Sequence, residues 1–175
     1  MRVAVAGFGL AVVAACSSKS TAPPAQKDAA IAAGPREVEL PQMGVALTLP
    51  PGWRPDSSVD RSRPNSPRQS QVITSGHHVI SVHRMPGPIK TLDEARTAIA
   101  AQMFSTRMGT VHEATELPGG TLRIVFDAID NRSSGTNRSI RVIVPGTDPR
   151  ACNGSEVGDT DFALVTRICS SLRQL

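Results

Sequence analysis

Residues 91–130, TLDEARTAIAAQMFSTRMGTVHEATELPGGTLRIVFDAID, switch from an apolar period of three to four residues to strict alternation, and the fold class follows from that switch. Thr91 and Glu94 make a capping box that satisfies two orphan backbone donors, so a helix opens there. Leu92, Ala95, Ile99 and Met103 line one of its faces, and Gly109 suits a left-handed exit, which predicts a helix over 91–109. Three strands follow: 111–117, 121–129 across the Pro118-Gly119-Gly120 turn, and 139–145 beyond a polar loop. Leu122, Ile124, Phe126 and Ala128 point one way, opposite Arg123 and Asp127. Such alternation predicts an antiparallel sheet with one buried face.

Upstream, Val38 and Leu40 begin a strand, Gln42-Met43-Gly44 turns the chain, and Val45, Leu47 and Leu49 return as the second arm of a hairpin that stops at Pro50-Pro51-Gly52. Residues 54–69, rich in Arg, Ser, Pro and Asp, form a loop, and 71–74 and 78–84 read as two strands around Ser75-Gly76. Downstream, Asp159 or Thr160 caps a last helix that carries Phe162, Val165, Cys169 and Leu172 on one stripe. The expected fold is α+β: an antiparallel sheet of about six to seven strands covered by two helices.

This order of elements, with a hairpin ending in LTLPPGW (47–53) and a C-terminal helix reading LVTRICSSLR (164–173), resembles the PsbP-like fold seen in envelope lipoproteins, DcrB-like ones included. The resemblance covers 37–175 and implies a non-catalytic scaffolding or assembly role, with no site residues carried over. A cystatin-like helix-on-sheet fold is the alternative architecture.

The N-terminus carries an address. Arg2 precedes the apolar run VAVAGFGLAVVAAC (3–16), whose small residues lead to a cysteine, as in a secretory signal. Cys16 at the cut resembles the lipobox of bacterial lipoproteins, which implies a diacylglyceryl group on its thiol. At about 0.8 kcal/mol per buried methylene, two or three acyl chains hold a domain on a bilayer almost permanently. The run breaks at Cys16-Ser17-Ser18-Lys19, short of the roughly 20 residues of a spanning helix. Gly7 and Gly9 imitate a dinucleotide turn, but Val12 stands where the third glycine belongs. The domains expected are therefore a signal peptide at 1–15, a lipidated, disordered tether at 16–36 and one folded domain at 37–175. The tether has almost no large apolar side chains to offset the entropy of ordering. Ser17 stands where enteric inner-membrane retention requires aspartate, which favours the outer membrane if the cell has two.

With Cys16 lipidated, Cys152 and Cys169 are an even pair in an oxidising compartment, which favours a disulfide. The rival metal or redox reading lacks a CxxC spacing, and His112 lies well upstream of both. His77 and His83 share a face about 20 Å apart at strand rise and cannot hold one metal, while His78 alternates with Ile80 and Val82 at the core edge. No GxSxG elbow, HxH or HExxH is present, so no metal, cofactor or catalytic residue is implied. Gly119-Gly120-Thr121 reads as a hairpin turn, and Asp127 and Asp130 straddle a strand end. Asn131, Asn137 and Asn153 head sequons that mark polar loops.

The formal net charge is +4, and the chain has no tyrosine and one tryptophan, too few aromatics for a base-stacking platform, so nucleic acid is not an expected partner. The basic, proline-stiffened loop around Arg61, Arg63 and Arg68 is the candidate contact surface, for an envelope protein or an anionic headgroup. The functional expectation is a lipid-anchored, non-catalytic binding or assembly module. The alternatives are an extracytoplasmic serine-type hydrolase, which needs a Ser or Asp meeting His in a pocket, and a carrier of a small apolar ligand, which needs a cavity of roughly 300 Å³ between sheet and helix. Oligomeric state is left open by the sequence.

Overall fold

A computed structural model describes residues 34–56, 70–76, 78–156 and 159–175. The leader at 1–15, Cys16, the tether as far as residue 33, His77, and the basic loop with Arg61, Arg63 and Arg68 lie outside the described residues.

The expected hairpin forms from β1 (Arg36–Leu40) and β2 (Val45–Leu49), with Leu40 opposite Val45 across the turn. It does not join the main sheet. The last strand, β10 (Arg173–Gln174), pairs antiparallel with the other edge of β2 and closes a three-stranded sheet in the order β1-β2-β10. A pair of residues that alternation cannot reveal thus ties the C-terminus to the start of the domain.

The main sheet has seven strands: β3 (Arg54–Pro55), β4 (Ser70–Ser75), β5 (His78–Arg84), β6 (Thr106–Glu116), β7 (Leu122–Asp130), β8 (Thr136–Val144) and β9 (Arg150–Glu156). Their order is β3-β4-β5-β9-β8-β7-β6, and every pairing is antiparallel. The meander of β6, β7 and β8 therefore sits on one side of β9 and the earlier strands on the other. The central strand is the one that carries Cys152.

Helix α1 (Leu92–Gln102) opens on the capping box as read: the Thr91 hydroxyl accepts from Glu94 N at 3.3 Å, and Glu94 Oε2 accepts from Thr91 N at 3.1 Å. Its exit differs from the expectation. The helix stops at Gln102, and Gly109 lies inside β6 at a register shift between Met108 and Val111. A Cβ there would stand 2.7 Å from Ile129 Cδ1 and 3.2 Å from Asp127 O, so the glycine serves close strand packing at a bulge rather than a helix end. Helix α2 (Asp159–Ser170) buries Val165, Ile168 and Cys169 on its inner stripe, and Leu172 continues that contact just past its end.

The single buried face expected of the sheet is corrected to two. Ile124, Phe126 and Ile143 pack with Ala95 and Ile99 of α1, whereas Val125, Ile140, Val142 and Cys152 pack with Val165, Ile168 and Cys169 of α2. Adjacent residues of one strand enter different cores, so the helices cover opposite faces. Strands buried on both sides read as nearly unbroken apolar runs, as LRIVF and SIRVIV do. Trp53, Leu47 and Leu49 fill the α2 side, where α2 also touches β2.

Candidate functional site

Cys152 and Cys169 are joined in a disulfide, with Cα atoms 5.3 Å apart and both side chains fully buried. The bridge fixes α2 to β9. Two residues along β9 on the same face, Gly154 receives the helix: a Cβ there would stand 2.0 Å from Val165 Cγ1.

An ion-paired arginine reaches from the main sheet to the small one. Arg150, 9 % exposed, donates from Nε to Met43 O at 2.8 Å in the β1–β2 turn and from Nη2 to Asp148 Oδ2 at 2.7 Å. Arg84 donates to the same carboxylate. The hydrogen bond from Arg150 foremost, with Arg84 adding to it, lowers Asp148 to about 2. A carboxyl depressed on folding contributes stability that is complete above its unfolded value near 4 and is lost as pH falls through about 2. Asp148→Asn should therefore be less stable than the parent at pH 7, with the gap closing between pH 4 and 2; urea unfolding at pH 7, 4 and 2.5 measures it. A gap that persists unchanged at pH 2.5 would assign the effect to something other than the charge. At the chain's end, Arg173 Nη2 holds Glu37 Oε1 at 2.7 Å, tying β10 to β1 across β2.

The described histidines go to three separate places. His78 stacks on Trp53, with ring centroids 6.1 Å apart and planes 17° apart, and lies 3.8 Å from Asp161, so it caps the core edge. His112 Nε2 lies 2.8 Å from Asp127 Oδ1 on the half-exposed side of β6 and β7. That acid–histidine pair meets half of what a hydrolase needs, but the described contacts of His112 include no hydroxyl or thiol. Asp130 is not brought to it: its carboxylate accepts from the backbone N of Arg132 and Ser133 in the β7–β8 turn. Those two bonds, the one from Ser133 first, hold it below the usual carboxylate range. Among the described residues, no three His, Cys, Asp or Glu side chains converge as a metal site.

The third place is the strongest candidate site, on the α1 side of the central strands. Ser81 of β5, Asn153 of β9 and Arg141 of β8 stand in one row across the sheet. His83, Ala151 and Ile143 form the next row, and Arg141 Nη1 reaches across β9 to lie 2.8 Å from His83 Nε2. The small side chain of Ala151 leaves that path open. Burial, and then the Arg141 charge, push His83 down to about 4, with Gln102 opposing, so the ring is neutral at pH 7 and accepts from the guanidinium. Burial alone lowers Arg141 to about 10, leaving it cationic. Ser139 is 4 % exposed in the row on the other side of Arg141 from His83, where Ser155 opens to solvent and Val79 is 51 % exposed. Asn153, expected in a polar loop, is part of this central strand.

Sequence reasoning passed over Arg141. The available signal was its isolation as the single charge within SIRVIV (139–144), a run otherwise fit for burial on both faces.

A cleft of ≈ 380 Å³ lies elsewhere, between the Gly119-Gly120 turn, the end of β8 and the end of α2. Leu117, Val144 and Leu172 give it apolar walls, and Thr121, Ser170 and Ser171 give it hydroxyls. It opens at the sheet's end rather than between sheet and helix. Its rim is the expected hairpin turn, closed by Leu117 N donating to Thr121 O at 2.7 Å.

No protein-family model matches the chain, nor does any curated protein sequence. Among solved structures, it is similar to the solution structure of cyanobacterial PsbP (CyanoP) from Synechocystis sp. PCC 6803, at 15% identity with a TM-score of 0.56. The match covers 82% of this chain and 94% of that one. At this identity the likeness is one of fold: the chain carries a PsbP-like α+β domain.

Proposed function

We propose that the chain is a lipid-anchored cell-envelope protein whose folded domain acts by contact, as a binding or assembly module rather than as an enzyme. In this reading 1–15 is a signal peptide, Cys16 carries the lipid, 16–36 is a tether and 37–175 is the working domain. The observation that carries it is the run of residues 3–16, a charged start and short apolar core ending in Ala14-Ala15-Cys16, placed ahead of a polar segment and a stapled domain. The PsbP-like fold supports the non-catalytic part, since the resemblance implies scaffolding or assembly work. The buried disulfide agrees with an oxidising compartment. An envelope protein or an anionic headgroup is the proposed partner, and the outer membrane is the proposed location where two membranes exist.

Cys16→Ser should move the protein from the membrane pellet to the soluble fraction of lysed cells. The mass of the native product should show a start at Cys16 with added acyl chains. Membrane retention of the serine variant, or a native product with its leader uncut, would overturn the proposal.

A further inference from the structure

Arg141 is a half-buried cation with no counter-ion among the described residues. A guanidinium has five N–H donors, and the one described protein partner of Arg141 is the neutral ring of His83. Among the described residues no carboxylate lies within ion-pair distance of it. Its Nε is buried with no hydrogen-bond partner. An unpartnered buried donor is costly and an unpaired buried charge more so, and a fold that only needed packing would do better with an apolar residue here. Beside Arg141 the sheet sets neutral hydrogen-bonding groups in the same row, Ser81 and Asn153. A hydroxyl and an amide beside one unpaired cation complement an oxyanion, with its negative charge and several acceptor atoms.

We propose that this face of β5, β9 and β8 binds the carboxylate or phosphate group of a small soluble ligand, with Arg141 as its charge partner and Ser81 and Asn153 as neutral donors. His83 is a positioning residue: by accepting from Nη1 it holds the guanidinium across β9 without neutralising it. Ser81, Arg141 and Asn153 are each half-buried, which favours a small ligand over a lipid headgroup in a flat bilayer. The site stands on its own geometry and does not require the anchor at Cys16.

The test uses the full chain carrying Cys16→Ser, so that acyl chains contribute nothing, and follows thermal unfolding in sodium phosphate, sodium acetate and glycerol 3-phosphate against chloride at matched ionic strength. A saturable rise in unfolding temperature is expected with at least one of them, half-complete in the millimolar range. Arg141→Met should abolish it, and Arg123→Met, on the opposite face and paired with Glu113, should leave it intact. Arg141→Met should fold at least as well as the parent, because it removes an uncompensated buried charge. No saturable response to any of the three anions, or one that Arg141→Met retains, overturns the proposal. So does Arg141-dependent retention on phosphatidylglycerol vesicles without a response to the free anions, which would assign the cation to the membrane.

Discussion

Replacing Cys152 and Cys169 together by alanine should cost about 3 kcal/mol, lowering the unfolding temperature by roughly 6–12 °C for a domain of this size. The bridge closes a loop with a sequence separation of 17, and the chain-entropy account of a loop near that length gives about that value. Location raises its importance beyond entropy. β9 is the strand through which β4 and β5 connect to β8, β7 and β6, and α2 covers it on one face. Without the bridge, α2 is held by Val165, Ile168, Leu172 and the short pairing of β10 with β2. Urea unfolding of the parent with and without a reductant, beside the double variant, separates the cross-link from packing. The reduced parent and the double variant should agree within about 1 kcal/mol, because a buried thiol and a methyl differ little in transfer energy. A loss below about 1 kcal/mol in both would mean that the unfolded chain is not appreciably constrained by the bridge.

Much of this architecture is legible in local chemistry. The Thr91–Glu94 box placed the start of α1, and the alternation of Val45, Leu47 and Leu49 with its proline stop placed β2. The Cys152–Cys169 pairing is legible from counting cysteines, as the even pair left once Cys16 is set aside. What failed was what depends on partners distant in sequence. Gly109 looks like a helix terminator when only its neighbours are considered, but its role is set by Ile129 across the β6–β7 ladder. Arg173 and Gln174 carry no strand pattern and are strand only because β2 offers an open edge. β9 reads RACNGSE, with one cysteine and one alanine as its apolar side chains, and strand propensity gives it no signal. It is central because two neighbours pair with it. The same blindness applies to the candidate site: among the histidines of the sequence nothing points His83 to its actual partner, which is 58 residues away on β8.

The two faces of β9 have divided roles, which explains the composition of that strand. On one side Ala151 and Asn153 keep the surface low and polar, so that Arg141 can cross it. On the other, Cys152 and Gly154 admit α2 at close range. A strand of larger side chains would lift the helix away and block the guanidinium.

Gly154→Ala should therefore destabilise the domain by about 1–3 kcal/mol, the range of overpacking in a closed core, despite the gain of a few tenths to about 1 kcal/mol that alanine brings by restricting the unfolded chain. The added Cβ would stand 2.0 Å from Val165 Cγ1 and 3.4 Å from Ile80 Cγ2. Valine on a helix has one strongly preferred χ1 rotamer, so the clash is relieved by moving α2 and not by turning the side chain. The bridge resists that movement, because Cys169 lies one helical turn beyond Val165 and is bonded two residues from Gly154 on the same face of β9. Two non-additive results follow. Adding Val165→Ala should recover at least half of the loss, although by itself it removes buried methyl groups and destabilises. Gly154→Ala should also cost less in the reduced protein than in the oxidised one, since a helix freed at Cys169 can give way. If alanine at 154 is neutral, or costs the same whether or not the disulfide is intact, α2 does not sit against β9 at this distance and the glycine answers to some other demand of the strand.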